Sequence, residues 1–213
     1  MKNKDLISVW RLLSELFVSP AERDPDRIKA YREELDDEYA GIAYGIDLFM
    51  GDPDCQNESE YLQTLELNPP VPLYLGSHLF DDPTTCNGIG SGARNPYMLE
   101  LTGIYEHFGL DLGGCEMPDF LPIMLEFLAI SLEQSERDTI GLRRRFIERC
   151  FLPGIEGMEK AMAKFESPYL VLLPSIQAMA VEDLRRMGDT PAWQPESEQE
   201  STVRLPIIDG VSA

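Results

Sequence analysis

Glu116 and Asp119 flank Met117-Pro118 in the run 114–131, Gly-Cys-Glu-Met-Pro-Asp-Phe-Leu-Pro-Ile-Met-Leu-Glu-Phe-Leu-Ala-Ile-Ser, and are the side chains best placed for chemistry. Acids on a loop that leads into a buried helix can grip an arginine or lysine of a peptide through charge-assisted hydrogen bonds. Asp119 suits a second, compatible role as N-cap of the following helix, with Pro122 in its first turn, where a missing N–H costs nothing. Tyr74, His78, Phe80, Tyr97 and Tyr105 supply an aromatic set upstream, joined at the loop by Pro118 and Phe120. Such side chains are most often core. They are also what a groove for an apolar peptide helix is made of, with a few acids at its rim. These nine residues are the expected peptide-binding set.

Other chemistries find little support. His78 and His107 are the two histidines, and neither lies in a metal-ligand pattern. No Cys-x-x-Cys occurs among Cys55, Cys86, Cys115 and Cys150, whose wide spacing fits separate reduced thiols without a disulfide. Gly88, Gly90 and Gly92 lack the strand and lysine of a phosphate-binding loop. The expectation is no catalytic residue, no metal and no cofactor. Arg143, Arg144, Arg145 and Arg149 form the basic cluster, read as a solvated helix face in preference to an anion site.

These residues need a frame to hold them. In 120–132, Leu121, Leu125, Leu128 and Leu132 share one helical face while Phe120, Met124 and Phe127 occupy another, so other helices must cover this one on several sides. Glu126 inside that apolar helix calls for an arginine, with Arg94, Arg143, Arg144 and Arg145 as candidates. Helical periodicity also runs through 6–17, 25–35, 38–50, 59–67, 96–108, 139–150, 153–165 and 169–187. Asn68-Pro69-Pro70-Val71-Pro72 cannot be helical, and 81–95 reads as a long surface loop. No strict alternation marks a strand. The expected fold is all-α, a single-domain helical bundle over 1–187, followed by a flexible or extended acidic tail over 188–213 whose 202–208 stretch turns apolar again.

The chain has 213 residues with 18 basic against 38 acidic side chains, a formal net charge of −20, which argues against nucleic acid and for a basic partner. The amino-terminal helix is interrupted by Arg11 and Glu15, unlike the apolar core of a signal peptide, and no apolar run approaches a membrane span. A cytoplasmic protein without membrane insertion is expected.

Glu116-Met117-Pro118-Asp119-Phe120 with its Leu-Glu-Phe-Leu helix resembles the Glu-x-Pro-Asp-His/Tyr hinge of the TorD/NarJ-type chaperones, which assist maturation of molybdenum enzymes. The run 71–80, Val-Pro-Leu-Tyr-Leu-Gly-Ser-His-Leu-Phe, is similar to that family's Val-Pro-x-Tyr-glutamate segment, and Arg94-Asn95-Pro96-Tyr97-Met98 to its next helix. The likeness spans about 6–187 in element order. Leu75 stands where many members carry an acid, and Phe120 where many carry His or Tyr, so a titrating role at those two positions is not implied. The resemblance implies an all-helical, monomeric or weakly dimeric chaperone. Its partner would be the catalytic subunit of a molybdenum oxidoreductase, recognised by a basic, twin-arginine-type leader and held until its cofactor is inserted. The 74–80 and 94–109 segments look closest to chaperones of the dimethyl-sulfoxide-reductase-type enzymes. The alternative is a small helical regulatory or structural subunit retained in a complex.

Overall fold

Helices cover most of the chain in the computed structural model, which describes residues 3–35, 37–67, 69–80, 92–114, 116–134 and 139–195. In order they are α1 (Asn3–Leu16), α2 (Pro25–Glu33), α3 (Ala40–Gly51), α4 (Glu58–Tyr61), α5 (Arg94–His107), α6 (Leu121–Glu133), α7 (Ile140–Arg145), α8 (Leu152–Lys164) and α9 (Leu173–Arg186). The fold is all-α, as the periodicity implies. Among the described residues the one extended pairing is an isolated antiparallel bridge between Tyr74 and Phe120.

Local chemistry explains most boundaries. Asp24 caps α2 by accepting from the backbone N–H groups of Asp26 and Arg27, with Pro25 in the first turn. Pro153 and Pro174 likewise sit in the first turns of α8 and α9, which have no side-chain cap. The expected 169–187 helix is a 3₁₀ turn over Pro168–Leu172 followed by α9, because a proline at 174 removes an interior N–H that a continuous helix would use. Helices α7 and α8 join through a wide π-type turn over Phe146–Phe151 rather than a break.

Helix α6 is the centre of the bundle and packs most extensively on α1. Leu121, Met124, Leu125, Phe127, Leu128 and Ala129 are all buried, which matches its apolar character on nearly every face. Tyr105, Phe108, Phe127, Phe146 and Phe151 build a continuous aromatic layer beside it, with Phe127 and Phe146 centroids 4.6 Å apart.

Two buried arginines tie the helices together. Arg23 donates to the carbonyls of Leu16, Val18 and Cys55 and to the Tyr169 hydroxyl, closing the turn after α1 onto the 168–172 segment. Arg143 pairs with Asp183 on α9, which also accepts from Trp10 Nε1 at 3.1 Å, and Arg143 donates to Leu128 O and Ser131 Oγ on α6. Four helices meet at that charge pair. Its groups are mutually hydrogen-bonded, the condition under which a buried ion pair is tolerated.

The basic cluster is therefore not a solvated face: Arg143 and Arg145 are buried and point to different partners, Asp183 and Glu100. Glu126 also departs from expectation. It pairs with Arg11 of α1 at 3.5 Å and is 40% exposed, so it sits at the seam between α1 and α6 and not in the interior. Residues 188–195 run without helix and are held to α7, Arg144 donating to Gly188 O at 2.6 Å and Trp193 N to Gly141 O at 2.9 Å. The 81–91 part of the expected loop and the tail from 196 lie outside the described residues. No described helix is long and apolar enough to cross a membrane.

Candidate functional site: the hinge and an apolar groove

The prolines at 69, 70 and 72 exclude helix, so 69–74 runs across the molecule with Val71 and Leu73 buried. It ends in a 3₁₀ turn, Leu75–His78, that lies flat on α8. That approach depends on two glycines one helical turn apart. A Cβ at Gly154 would stand 2.7 Å from Leu75 Cβ, and one at Gly157 would stand 2.8 Å from both His78 Cβ and His78 O. The loop before α6 closes on the other side of the turn: Leu75 N donates to Asp119 O at 2.9 Å and Leu121 N to Leu73 O at 2.8 Å.

Asp119 is wholly buried, and its carboxylate does not cap α6. The N-cap is Phe120, in extended geometry with no side-chain cap bond. Asp119 Oδ2 instead accepts from Gly76 N at 3.0 Å and from Arg94 Nη2 at 2.5 Å, locking the 75–78 turn, α5 and the hinge into one knot. The reason lies one residue along the chain: Asp119 precedes the capping position, and the paired 73–75 backbone directs its side chain across to Gly76. Gly76 fits because it has no Cβ, which would lie 2.5 Å from Asp119 Oδ2 and 2.7 Å from Arg94 Nε. Asp119 Oδ1 and Arg94 Nε are buried without a partner among the described residues. A client arginine would have to displace Arg94 to reach this acid.

The aromatic set is gathered around the same knot. Tyr105 donates to Pro118 O at 2.7 Å and Tyr97 to Cys150 O at 3.0 Å. Both rings are buried, and burial raises both phenols well above their usual range. They are core. His78 donates from Nε2 to Pro72 O at 2.8 Å, which fixes its tautomer, and burial lowers its pKa. Phe80 packs on Tyr97 at 5.4 Å. Tyr74, Glu116, Pro118 and Phe120 form the half-buried edge of the knot, with Met117 exposed beside them. Tyr74 and Phe120 rings lie 5.3 Å apart. Burial and the hydrogen bond to Glu116 push the Tyr74 phenol to about 12, so it donates to Glu116 Oε1 at 2.9 Å throughout the neutral range.

Glu116 differs from Asp119 in one decisive way. Its donors are neutral, the Tyr74 hydroxyl and Met117 N, and no cation pairs with it among the described residues. Its negative charge is left for an outside group. The structure thus brings all nine expected residues together but leaves Glu116, Tyr74, Pro118 and Phe120 at an accessible edge and takes Asp119, Tyr97 and Tyr105 inside.

A groove of about 930 Å³ opens elsewhere, between α3, the 168–172 turn and α9. Its walls include Ile42, Tyr44, Leu48, Leu170, Val171 and Ala178, with Glu38 and Glu182 also lining it. Gly45 lets α3 close onto α9 at the base, since a Cβ there would be 2.7 Å from Ser175 Oγ. Tyr44 is 65% exposed. The sequence signal was available: Ile42, Ala43, Ile46 and Phe49 mark the buried face of α3, and Tyr44 and Leu48, spaced i and i+4, add apolar surface out of phase with it. Glu182 is bound by Arg185 and Arg186, and the Arg185 hydrogen bond leads in drawing its pKa down to about 2.

Cys55 and Cys150 are buried free thiols, each pushed up to about 12 mainly by burial, and are inert as nucleophiles. Cys86 and Cys115 lie outside the described residues. Among the described residues no cluster of three His, Cys, Asp or Glu side chains is arranged to hold a metal ion. No protein-family model matches this chain, and no curated protein shows significant similarity to it.

Proposed function

We propose that this protein is a cytoplasmic chaperone that binds the basic, apolar leader of an apo molybdenum-oxidoreductase catalytic subunit and holds the subunit until its cofactor is inserted. The observation that carries the reading is the open apolar groove between α3 and α9 on a chain of net charge −20. Apolar side chains left uncovered in a groove of this size are the usual means of seating an amphipathic helix through its i, i+3, i+4 and i+7 positions. The surrounding acidity concentrates a cationic segment and disfavours a second copy of the same chain.

The residues divide the work. Tyr44, Leu48, Leu170 and Val171 take apolar side chains of the leader. Glu116, whose charge is not neutralised internally, meets an arginine at the hinge edge, with Tyr74, Met117 and Phe120 packing on its aliphatic stem. Asp119 works indirectly by fixing the turn that carries Tyr74.

Calorimetric titration with a peptide of two arginines followed by an apolar helical segment tests this. Saturable binding that weakens with salt and is lost in Tyr44→Asp is expected. Binding indifferent to Tyr44→Asp would sink the groove. Stoichiometric retention of this chain in the mature enzyme would favour the alternative, a permanent helical subunit.

A further inference from the structure

Residues 188–195 leave α9 at Gly188, whose φ of +57° turns the chain back along α7. They run antiparallel to that helix: Arg144 donates to Gly188 O at 2.6 Å at the start, and Trp193 N donates to Gly141 O at 2.9 Å near the end. Pro191 and Pro195 restrict this stretch in the free chain as well, so it loses less entropy on docking. Gly141 sets the register. A Cβ there would stand 3.0 Å from Pro191 O, a backbone atom, so a larger residue would lift the strap off α7.

Three side chains fasten the far end. Glu100 of α5 accepts from Arg145 Nε at 2.5 Å and so orients the guanidinium. The guanidinium lies over the Trp193 ring, 5.7 Å from its centroid, and Arg145 Nη1 reaches Trp193 O at 3.4 Å. The ring in turn walls a cavity of about 520 Å³ between α5 and α7, together with Leu99, Ile104 and Leu142. Glu100 itself bonds to no strap residue among the described residues, so it acts through Arg145.

The fastening is shallow. Trp193 stays 49% exposed, and Pro191, Gln194 and Pro195 are exposed as well. Among the described residues a single backbone hydrogen bond, Trp193 N to Gly141 O, joins 191–195 to the helices. A segment with so little buried surface opens at a lower free energy than the core beneath it, where Arg143, Phe146 and Phe151 are buried. The hinge end is held more firmly, since Arg144 donates to Leu184 O as well as to Gly188 O and keeps α9 against α7.

We infer that residues 188–195 are a detachable strap, hinged at Gly188 and latched by the Glu100, Arg145 and Trp193 sandwich, which swings off the α5–α7 seam as a unit while the helical body stays folded. Opening uncovers Leu142, Ile104 and the Arg145 guanidinium. Glu100 is the positioning residue of the latch. The inference stands independently of the leader-binding reading.

The test uses the full chain and the emission of Trp193, isolated by difference from Trp193→Phe; the other tryptophan, Trp10, is wholly buried in the body. In a urea titration the Trp193 signal is expected to change at a lower midpoint than the far-ultraviolet circular dichroism, because the strap opens first. Gly141→Leu keeps a good helix former in α7 and should red-shift Trp193 emission and raise its acrylamide quenching at least twofold without urea, the dichroism unchanged. Glu100→Gln should raise quenching by a smaller factor and lower the Trp193 midpoint alone. A wild-type Trp193 midpoint coincident with the dichroism overturns the proposal, since the strap would then be part of the body. Quenching equal to wild type in both Gly141→Leu and Glu100→Gln overturns it too.

Discussion

The hinge knot and the α3–α9 groove hold opposite kinds of residue. At the hinge, the groups with the most chemical character, Asp119, Arg94, Tyr97 and Tyr105, are spent on one another and on backbone atoms. At the groove, Tyr44 and Leu48 have no such partners and lie open. A carboxylate beside a proline turn looks functional in sequence because its charge is visible there and its neutralisation is not. The difference teaches that binding capacity resides in what the fold leaves uncovered, and that Glu116 and Asp119, three positions apart, fall on opposite sides of that line.

The comparison is broken most severely if the hinge is not structural. Asp119→Ala strands the Arg94 guanidinium and Gly76 N–H, and is expected to cost about 3 kcal/mol, at the low end for a broken buried pair because Arg94 is 30% exposed. Denaturant unfolding measures it. Asp119→Asn separates pairing from capping: a cap would be indifferent to that change, whereas a neutral amide facing Arg94 should lose about 2 kcal/mol. A melting temperature equal to wild type in Asp119→Asn would restore the cap.

Next in size, Gly157→Ala drives a methyl into His78 O, a backbone atom that cannot swing away, and should destabilise by about 1–3 kcal/mol. Gly103→Ala, in open space, is the control and should be neutral or slightly stabilising.

At the groove the expected pattern reverses. Tyr44→Asp and Leu48→Asp should leave stability within about 0.5 kcal/mol, as exposed substitutions do, yet weaken leader binding at least tenfold. Glu116→Gln should act more mildly, reducing affinity several-fold and flattening its salt dependence.

The smallest effect concerns pH. Burial lowers the His78 pKa in the folded state, so the unfolded chain binds a proton more readily and stability falls as pH drops below the imidazole's ordinary value near 6.5. The contribution is fully present above that value. Urea midpoints between pH 7 and 5 should fall less in His78→Gln than in wild type, and equal slopes would show that His78 titrates normally.

Much of the bundle was legible from side-chain pattern alone. The apolar surround of α6 required a central helix, Asp24-Pro25 marked the start of α2, and the prolines near 70 excluded helix where the turn onto α8 forms. These features depend on neighbours within one or two helical turns, where spacing, capping and a missing N–H act directly.

The fates of the nine candidate residues were not legible, because burial and charge pairing are settled by contacts far apart in sequence. Whether Asp119 capped a helix or bound Arg94 turned on the register of 73–75 against 119–121. Arg143 was drawn inside by Asp183, forty residues on, while Glu126, on an apolar helix, reached Arg11 at the surface. Sequence by itself determined which segments are helical and which faces need cover, since both are local consequences of backbone geometry and hydrophobicity. Only the tertiary structure decided which charges cancel and which apolar faces stay open, because both depend on how much surface the other helices have left to give.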